Sequence, residues 1–398
     1  QISEESSDEQ SESIADITPI SNQSKPQECE GICDDEPEVR TVDSLDEKLK
    51  GLASMCGADN TYVEIPKVNL ETIVVKNSDV HRASDKWFNR QLEISSEIFD
   101  RVDGEFIKFK RSAQKEVNYL VKEFECRKAA DSYARATTAR TGVLDCTKLH
   151  TYKYNEDLFK KVSVTPDGKN HGLVFVLDWS GSMSQVLMDT CKQLFNLIWF
   201  CKKVSIPFEV YAFTNEWNRT HFDCETNEYV FADLKQHYEK KEGLLSVNEH
   251  FTMMNLFTSK TSSKELERQM INIWRVANYY ACNWGCGYSI AEQLSLSGTP
   301  LNEALVSLHQ ILPKFQKENK VQKVQCIVLT DGEANPLTRH VKVEREDNTH
   351  IGNRRLSPET TFIRDRKLGT TYRVEYEWHK FTELMLKNLK DNFPYVNF

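Results

Sequence analysis

An α/β fold is expected for this chain: a doubly wound, mainly parallel sheet with helices on both faces, preceded by a mainly helical region and an acidic, disordered amino-terminal stretch. Three observations carry that expectation. The run Leu173-Val174-Phe175-Val176-Leu177 is short, branched and without alternation, as in a parallel strand covered on both faces. After a tight turn, the apolar residues Val186, Leu187, Leu194, Leu197, Ile198 and Cys201 fall at helical spacing from Gln185 onward. The same strand character returns at Pro207–Thr214 and Val324–Leu329, with helical stretches between.

Residues 1–45 hold thirteen acidic residues and two basic ones, Lys25 and Arg40, a net of −11 against −9 for all 398 residues, so the remainder is near +2. Rich in Ser, Glu and Asp and almost free of aromatics, this stretch cannot bury enough apolar surface to offset its ordering entropy. It reads as a disordered linker or as a docking tail for a basic partner. Nothing in the remainder suggests nucleic acid binding.

Residues 46–165 read as a mainly helical region and connector. Tyr62-Val63-Glu64-Ile65 and Thr72-Ile73-Val74-Val75 are candidate short strands. Ser84 or Asp85 then caps a long helical region running to about Arg135. Within it Trp87, Phe88, Leu92, Phe99, Val102, Phe106 and Phe109 recur at three- and four-residue steps, with Gly104 as the point of bending or splitting.

Residues 166–398 read as the sheet domain, with insertions at about 215–297 and 334–376. The first insertion holds a candidate strand near Tyr229 and helical segments over Ser263–Tyr280, and decorates the carboxyl end of the sheet. The second holds a hairpin of Thr361–Asp365 and Thr370–Val374. A helix over Trp378–Lys390 follows, and Tyr395-Val396-Asn397-Phe398 starts another strand, so the domain is expected to be truncated at the carboxyl end. Gln1 in place of methionine leaves room for a preceding segment.

Several function classes drop out. The eleven cysteines are odd in number and irregularly spaced, unlike a disulfide framework, which favours a reducing compartment. Cys29-x3-Cys33 and Cys282-x3-Cys286 lack a second pair that would complete a zinc tetrahedron. No apolar stretch reaches transmembrane length or resembles a signal peptide, so no membrane association is expected. Phosphate-loop, His-Glu-x2-His and Gly-x-Ser-x-Gly motifs are absent. His171, the histidine nearest Ser180 and Ser182 in sequence, precedes the strand at the wrong end of the sheet, so the chain reads as nonhydrolytic on its own.

What remains is the turn Asp178-Trp179-Ser180-Gly181-Ser182-Met183-Ser184. One carboxylate and two hydroxyls, each two residues apart, can point into one concavity at the carboxyl end of a strand, where open α/β sheets bind ligands. Such hard oxygen donors suit Mg²⁺ or Mn²⁺ and are too poor in nitrogen and sulfur to select zinc. Three ligands do not complete an octahedron, so further oxygens are expected from other strand ends. Thr299, in Gly298-Thr299-Pro300 at the opening of a helix, and Asp331, in Thr330-Asp331-Gly332 after an apolar strand, supply them. The alternative is an ordinary strand-to-helix turn in which Ser182 or Ser184 caps the helix.

Asp178, Ser180, Ser182, Thr299 and Asp331, in that order and on those elements, resemble the metal-ion-dependent adhesion site of a von Willebrand factor A domain, a Rossmann-like fold. The resemblance implies that the serines and the threonine contact the metal directly or nearly so, and that the aspartates act largely through water. It also implies one coordination position left open for a partner's carboxylate. A second resemblance, to the CobT-type subunit of aerobic cobaltochelatase, rests on Gly142-Val143-Leu144-Asp145 with the following Leu and Phe-containing stretch, on the Phe213-Thr214 strand end and on the acidic upstream region. CobT-like proteins of large tailed bacteriophages share it. It implies a Mg²⁺-binding subunit that engages a CobS-like AAA+ ATPase, with a large chelatase subunit as a further partner, in a cobalamin-biosynthesis complex of the cytoplasm, or of the host cytoplasm for a phage-encoded chain. Trp179 stands where small or polar residues are common in the family. The alternatives left open are an interaction or structural module of another AAA+ remodelling system or phage particle, and a metal-dependent hydrolase with Glu333 as base.

Overall fold

The computed structural model of this chain describes residues 60–398 apart from 136, 139–144, 155–162, 165–170, 224, 225, 233, 235, 284, 333, 346, 347 and 359. The acidic segment 1–45 and most of the connector at 139–170 therefore lie outside the described residues. All of the described residues belong to one compact unit, Ala58–Phe398.

The fold is mixed α/β, built on a parallel-rich sheet of six strands: β1 Val74–Val75, β2 His171–Asp178, β3 Phe208–Thr214, β4 Thr252–Thr258, β5 Lys323–Leu329 and β6 Val396–Asn397. Their spatial order is β6-β5-β2-β3-β4-β1. Every neighbouring pair is parallel except β3 with β4, which is antiparallel. From β2 the chain moves outward through β3 and β4 on one side, then returns and continues through β5 and β6 on the other. The direction of winding thus reverses between β2 and β5, and the crevice at the carboxyl ends of such a strand pair is where open α/β sheets take ligands.

Among the described residues, six helices longer than a single turn cover the sheet: α1 Asn77–Ile94, α2 Asp100–Arg135, α3 Leu187–Val204, α4 Ser263–Ala281, α5 Leu301–Asn319 and α6 Trp378–Asn392. The unalternating composition of β2 follows from this coverage. Val174 and Val176 pack into one apolar layer with Leu305 and Leu308 of α5 and Met385 of α6. Phe175 and Leu177 pack into the other with Leu194 of α3, Ile273 of α4, Phe88 of α1 and Phe106 of α2. Both faces exclude water, so neither parity of β2 can be polar. The helices that precede residue 165 share their core with those that follow it.

The helical region expected over residues 84–135 forms, but as two helices, and its break differs from the expected one. The chain leaves α1 at Ser95, whose backbone is extended, and Phe88 and Phe99 meet edge-on at 5.3 Å across the corner. Gly104 lies inside α2, with nothing within 4 Å of where a Cβ would stand. The helix also begins earlier: Lys76 is the N-cap residue, and Ser84 is buried with its hydroxyl donating to the Val80 carbonyl. At Ser84 tertiary burial overrode the local capping signal.

The stretch 215–297 contributes more than an insertion would. Its residues Thr252–Thr258 form β4, paired with β3, and α4 seals one face of the sheet. The polar excursion after residue 334 carries two hairpins rather than one. Thr338–Arg345 pairs with Asn348–Arg355 and with Leu245–Ser246, while Thr361–Asp365 pairs with Thr370–Arg373 and with Thr61–Glu64. Among the described residues no helix is long and apolar enough to cross a membrane.

Candidate metal centre

Two parallel neighbours end side by side, β2 at Asp178 and β5 at Leu329, because Leu177 pairs with Leu329 in register. That register sets Asp178 opposite Thr330. The Thr330 hydroxyl donates to Asp178 Oδ2 at 2.6 Å. The Asp178 side chain is fully buried, and its Oδ1 has no hydrogen-bond partner. Burial raises the carboxyl above its ordinary range, hydrogen bonding from Thr330 and the adjacent Ser180 pulls it down, and the Asp331 charge raises it again.

Beyond Asp178 the chain takes a short 3₁₀ turn, Gly181–Gln185, before α3 begins. Neither turn nor helix receives a side-chain cap: no cap hydrogen bond comes from Ser180, and the residue at the helix cap is Val186. The capping alternative for Ser182 and Ser184 therefore fails, and the serine hydroxyls turn elsewhere. Ser180 Oγ lies 2.9 Å from Ser182 Oγ, and Ser182 Oγ donates to Asp331 Oδ1 at 2.9 Å. Ser180 is buried, whereas Ser182 and Asp331 are exposed. A short polar relay thus rises from the closed end of the sheet to its surface.

The third loop is attached by backbone. Gly181 N–H donates to the Ser297 carbonyl at 2.7 Å, and Ser297 N–H donates to the Trp179 carbonyl at 3.2 Å, forming an isolated parallel bridge between Ser180 and Ser297. Trp179 fixes this arrangement. Its ring is fully buried and its Nε1 donates to the Leu294 carbonyl at 2.9 Å. A large residue at this position thereby staples the first loop to the segment that delivers Gly298 and Thr299. No hydrogen bond among the described residues joins the Thr299 hydroxyl to the other four side chains, so its proximity rests on the bridge two residues upstream.

The structure joins Ser180, Ser182 and Asp331 in one hydrogen-bonded series, sets Asp178 beside it through Thr330, and attaches the Thr299 loop by the Ser180–Ser297 bridge. Thr330 was not among the residues expected at the site. The Thr-Asp-Gly triplet held that signal, since parallel pairing of β5 with β2 puts its first residue against the buried carboxylate.

The donor set fits a small divalent cation. It offers two carboxylates and up to three hydroxyls, all hard oxygens, and the unpartnered Asp178 Oδ1 is a buried acceptor that would be available to a water of such an ion's shell. Among the described residues no group of three or more His, Cys, Asp and Glu converges as a metal site; a hydroxyl-rich set is a different type. Cys282 and Cys286 are free thiols. Cys29, Cys33 and Glu333 lie outside the described residues.

No protein-family model matches the chain, and no curated protein matches its sequence.

Proposed function

We propose that this chain is a von Willebrand factor A-type interaction subunit that holds Mg²⁺ or Mn²⁺ through Asp178, Ser180, Ser182, Thr299 and Asp331 and captures an Asp or Glu of a partner protein. The observation that carries the reading is the hydrogen-bonded series Ser180, Ser182, Asp331 at the point where the sheet reverses its winding. When bound, the cation supplies a Lewis-acidic position that a carboxylate can occupy. The chain's own residues do the rest. Ser180 and Ser182 present hydroxyl oxygens from a turn that makes no cap. Asp331 holds Ser182 and balances positive charge at the surface. Thr330 fixes the Asp178 carboxyl beneath, and Trp179 sets the position of the Thr299 loop.

In its finer form, the proposal is a CobT-like subunit whose partner is a CobS-like AAA+ ATPase within a cobaltochelatase-like complex that includes a large chelatase subunit. The sequence features at Gly142–Asp145 and Phe213-Thr214 support that form. The decisive measurement is Mg²⁺-dependent capture of a purified CobS-type ATPase. Ser180→Ala combined with Asp331→Ala is expected to keep the fold and abolish capture, and undiminished capture rejects the reading. Capture of a different AAA+ protein or of a phage structural protein at the same site, reversed by EDTA, would leave the metal centre in place and reassign the system. Turnover of ester, peptide or phosphate substrates by the isolated protein with Mg²⁺ would instead favour a hydrolase.

A further inference from the structure

A cavity of about 520 Å³ opens beside the Thr299 loop, and Gly298, Thr299 and Asn215 form part of its wall. Asn215 directly follows β3. Its Nδ2 lies 3.6 Å from where a Cβ on Gly298 would stand, and its buried Oδ1 has no hydrogen-bond partner. The far wall comes from the hairpin at 338–355 through Thr338, His340 and Asn353. That wall is braced: the Tyr238 hydroxyl lies 2.6 Å from His340 Nε2 and accepts the Val247 N–H at 2.8 Å.

The charge of the lining is nearly cancelled. Lys240, its one Lys or Arg, is ion-paired with Glu249. Burial raises the Glu303 carboxyl to about 7, so near neutral pH it carries only part of a negative charge. What the cavity presents is therefore amide, hydroxyl and imidazole next to a proposed cation site.

We propose that this cavity is the second half of the same recognition surface, taking an Asn or Gln side chain that flanks the metal-seeking Asp or Glu in an extended peptide of the partner. The inference rests on the proposed function and names the peptide class it selects. An amide side chain both donates and accepts, which matches a lining of amides and hydroxyls. A charged side chain would compete with the Lys240–Glu249 pair, and an apolar one would leave the polar wall unpaired at a cost. In an extended segment, side chains two residues apart share a face about 7 Å apart. The cavity wall includes Thr299, so it adjoins one of the loops that the proposed metal site draws on.

The test uses the full chain with Mg²⁺ and a displayed library of short peptides with a fixed central Asp and randomised flanks. The expected result is Mg²⁺-dependent binding with Asn or Gln enriched about tenfold at one flanking position, as one or two good hydrogen bonds give. Asn353→Trp and Asn335→Trp, both at exposed positions on the cavity wall, fill the cavity and should erase that preference while Mg²⁺-dependent binding of the Asp peptides persists. Asp peptides bound with no flank preference, with a basic or apolar preference, or with a preference untouched by either substitution overturn the inference and leave the metal reading standing. Loss of Mg²⁺-dependent selection of Asp over an Asn-centred control library overturns both.

Discussion

Ser182 Oγ donates a 2.9 Å hydrogen bond to Asp331 Oδ1, 149 positions away in the sequence. The bond joins the ends of two adjacent parallel strands at the surface, where water competes for both partners, so its own worth to the fold is small. Its significance is geometric, because it holds a hydroxyl and a carboxylate at a shared focus. Ser182→Ala and Asp331→Ala are accordingly expected to change stability by no more than about 0.5 kcal/mol without metal. The wild-type chain should gain about 2.7 kcal/mol at a Mg²⁺ concentration one hundredfold above its Kd, and both variants should lose most of that gain. Thermal melting with Mg²⁺ and with EDTA reads the difference; an equal Mg²⁺ shift in wild type and variants would remove these two residues from the metal set.

Thr330→Val tests the layer beneath. The substitution deletes the 2.6 Å hydrogen bond to Asp178 Oδ2 and leaves a fully buried carboxyl whose Oδ1 already has no partner. Stranding such a group costs about 1–3 kcal/mol, and denaturant unfolding should show it. Thr330→Ser keeps the hydroxyl and should recover most of the loss. Equal stability of both variants would show that the bond contributes nothing.

Much of this architecture was legible in the sequence, for a definable reason. Strands such as Leu173–Leu177 and helices such as the one after Gln185 are buried on sides that their apolar periodicity records directly. Asp178, Ser180 and Ser182 stood out as candidate site residues because their oxygen donors are concentrated within five positions. Thr252–Thr258 escaped as a strand because its run, Thr-Met-Met-Asn-Leu-Phe-Thr, is poor in branched residues and carries a central Asn. Asn255 marks the place where the pairing with β3 slips by a residue. The contribution of Trp179 was illegible for another reason: its partner, the Leu294 carbonyl, is a backbone atom 115 residues away, and no side-chain pattern announces such an acceptor.

Gly172 carries a sharper steric demand than its place in a strand suggests. A Cβ there would stand 2.6 Å from Phe315 Cε1 and 3.2 Å from Val321 Cγ2. Phe315 is buried in the layer between α5 and the sheet, so its ring cannot swing into solvent. Gly172→Ala should therefore cost about 1–3 kcal/mol, the usual penalty for overpacking. Adding Phe315→Leu should return part of that loss, since the smaller side chain vacates the contested volume. A second substitution that makes matters worse by its full separate cost would show the two sites to be independent.

The last expectation concerns acid. His81 of α1 is buried, and its Nε2 lies 2.7 Å from the Leu256 carbonyl of β4, so that nitrogen must carry the proton and donate. Its Nδ1 is buried without a partner. Burial lowers the pKa from 6.5 to about 4, the bond to Leu256 opposes the shift, and the Arg268 charge adds to it. With the folded value below the unfolded one, the unfolded chain takes up the proton first as pH falls. Stability is then fully present above about pH 6.5 and drains away between pH 6.5 and 4. Between pH 7 and 5 this one group should remove about 2 kcal/mol. His309, lowered to about 4 chiefly by burial, should add a loss of the same sign. His81→Gln preserves a donor for Leu256 but cannot titrate, so its stability should fall less steeply over that interval even where its neutral-pH stability is lower. Parallel pH–stability curves for the two proteins, measured by urea unfolding, would mean that His81 does not carry the acid sensitivity.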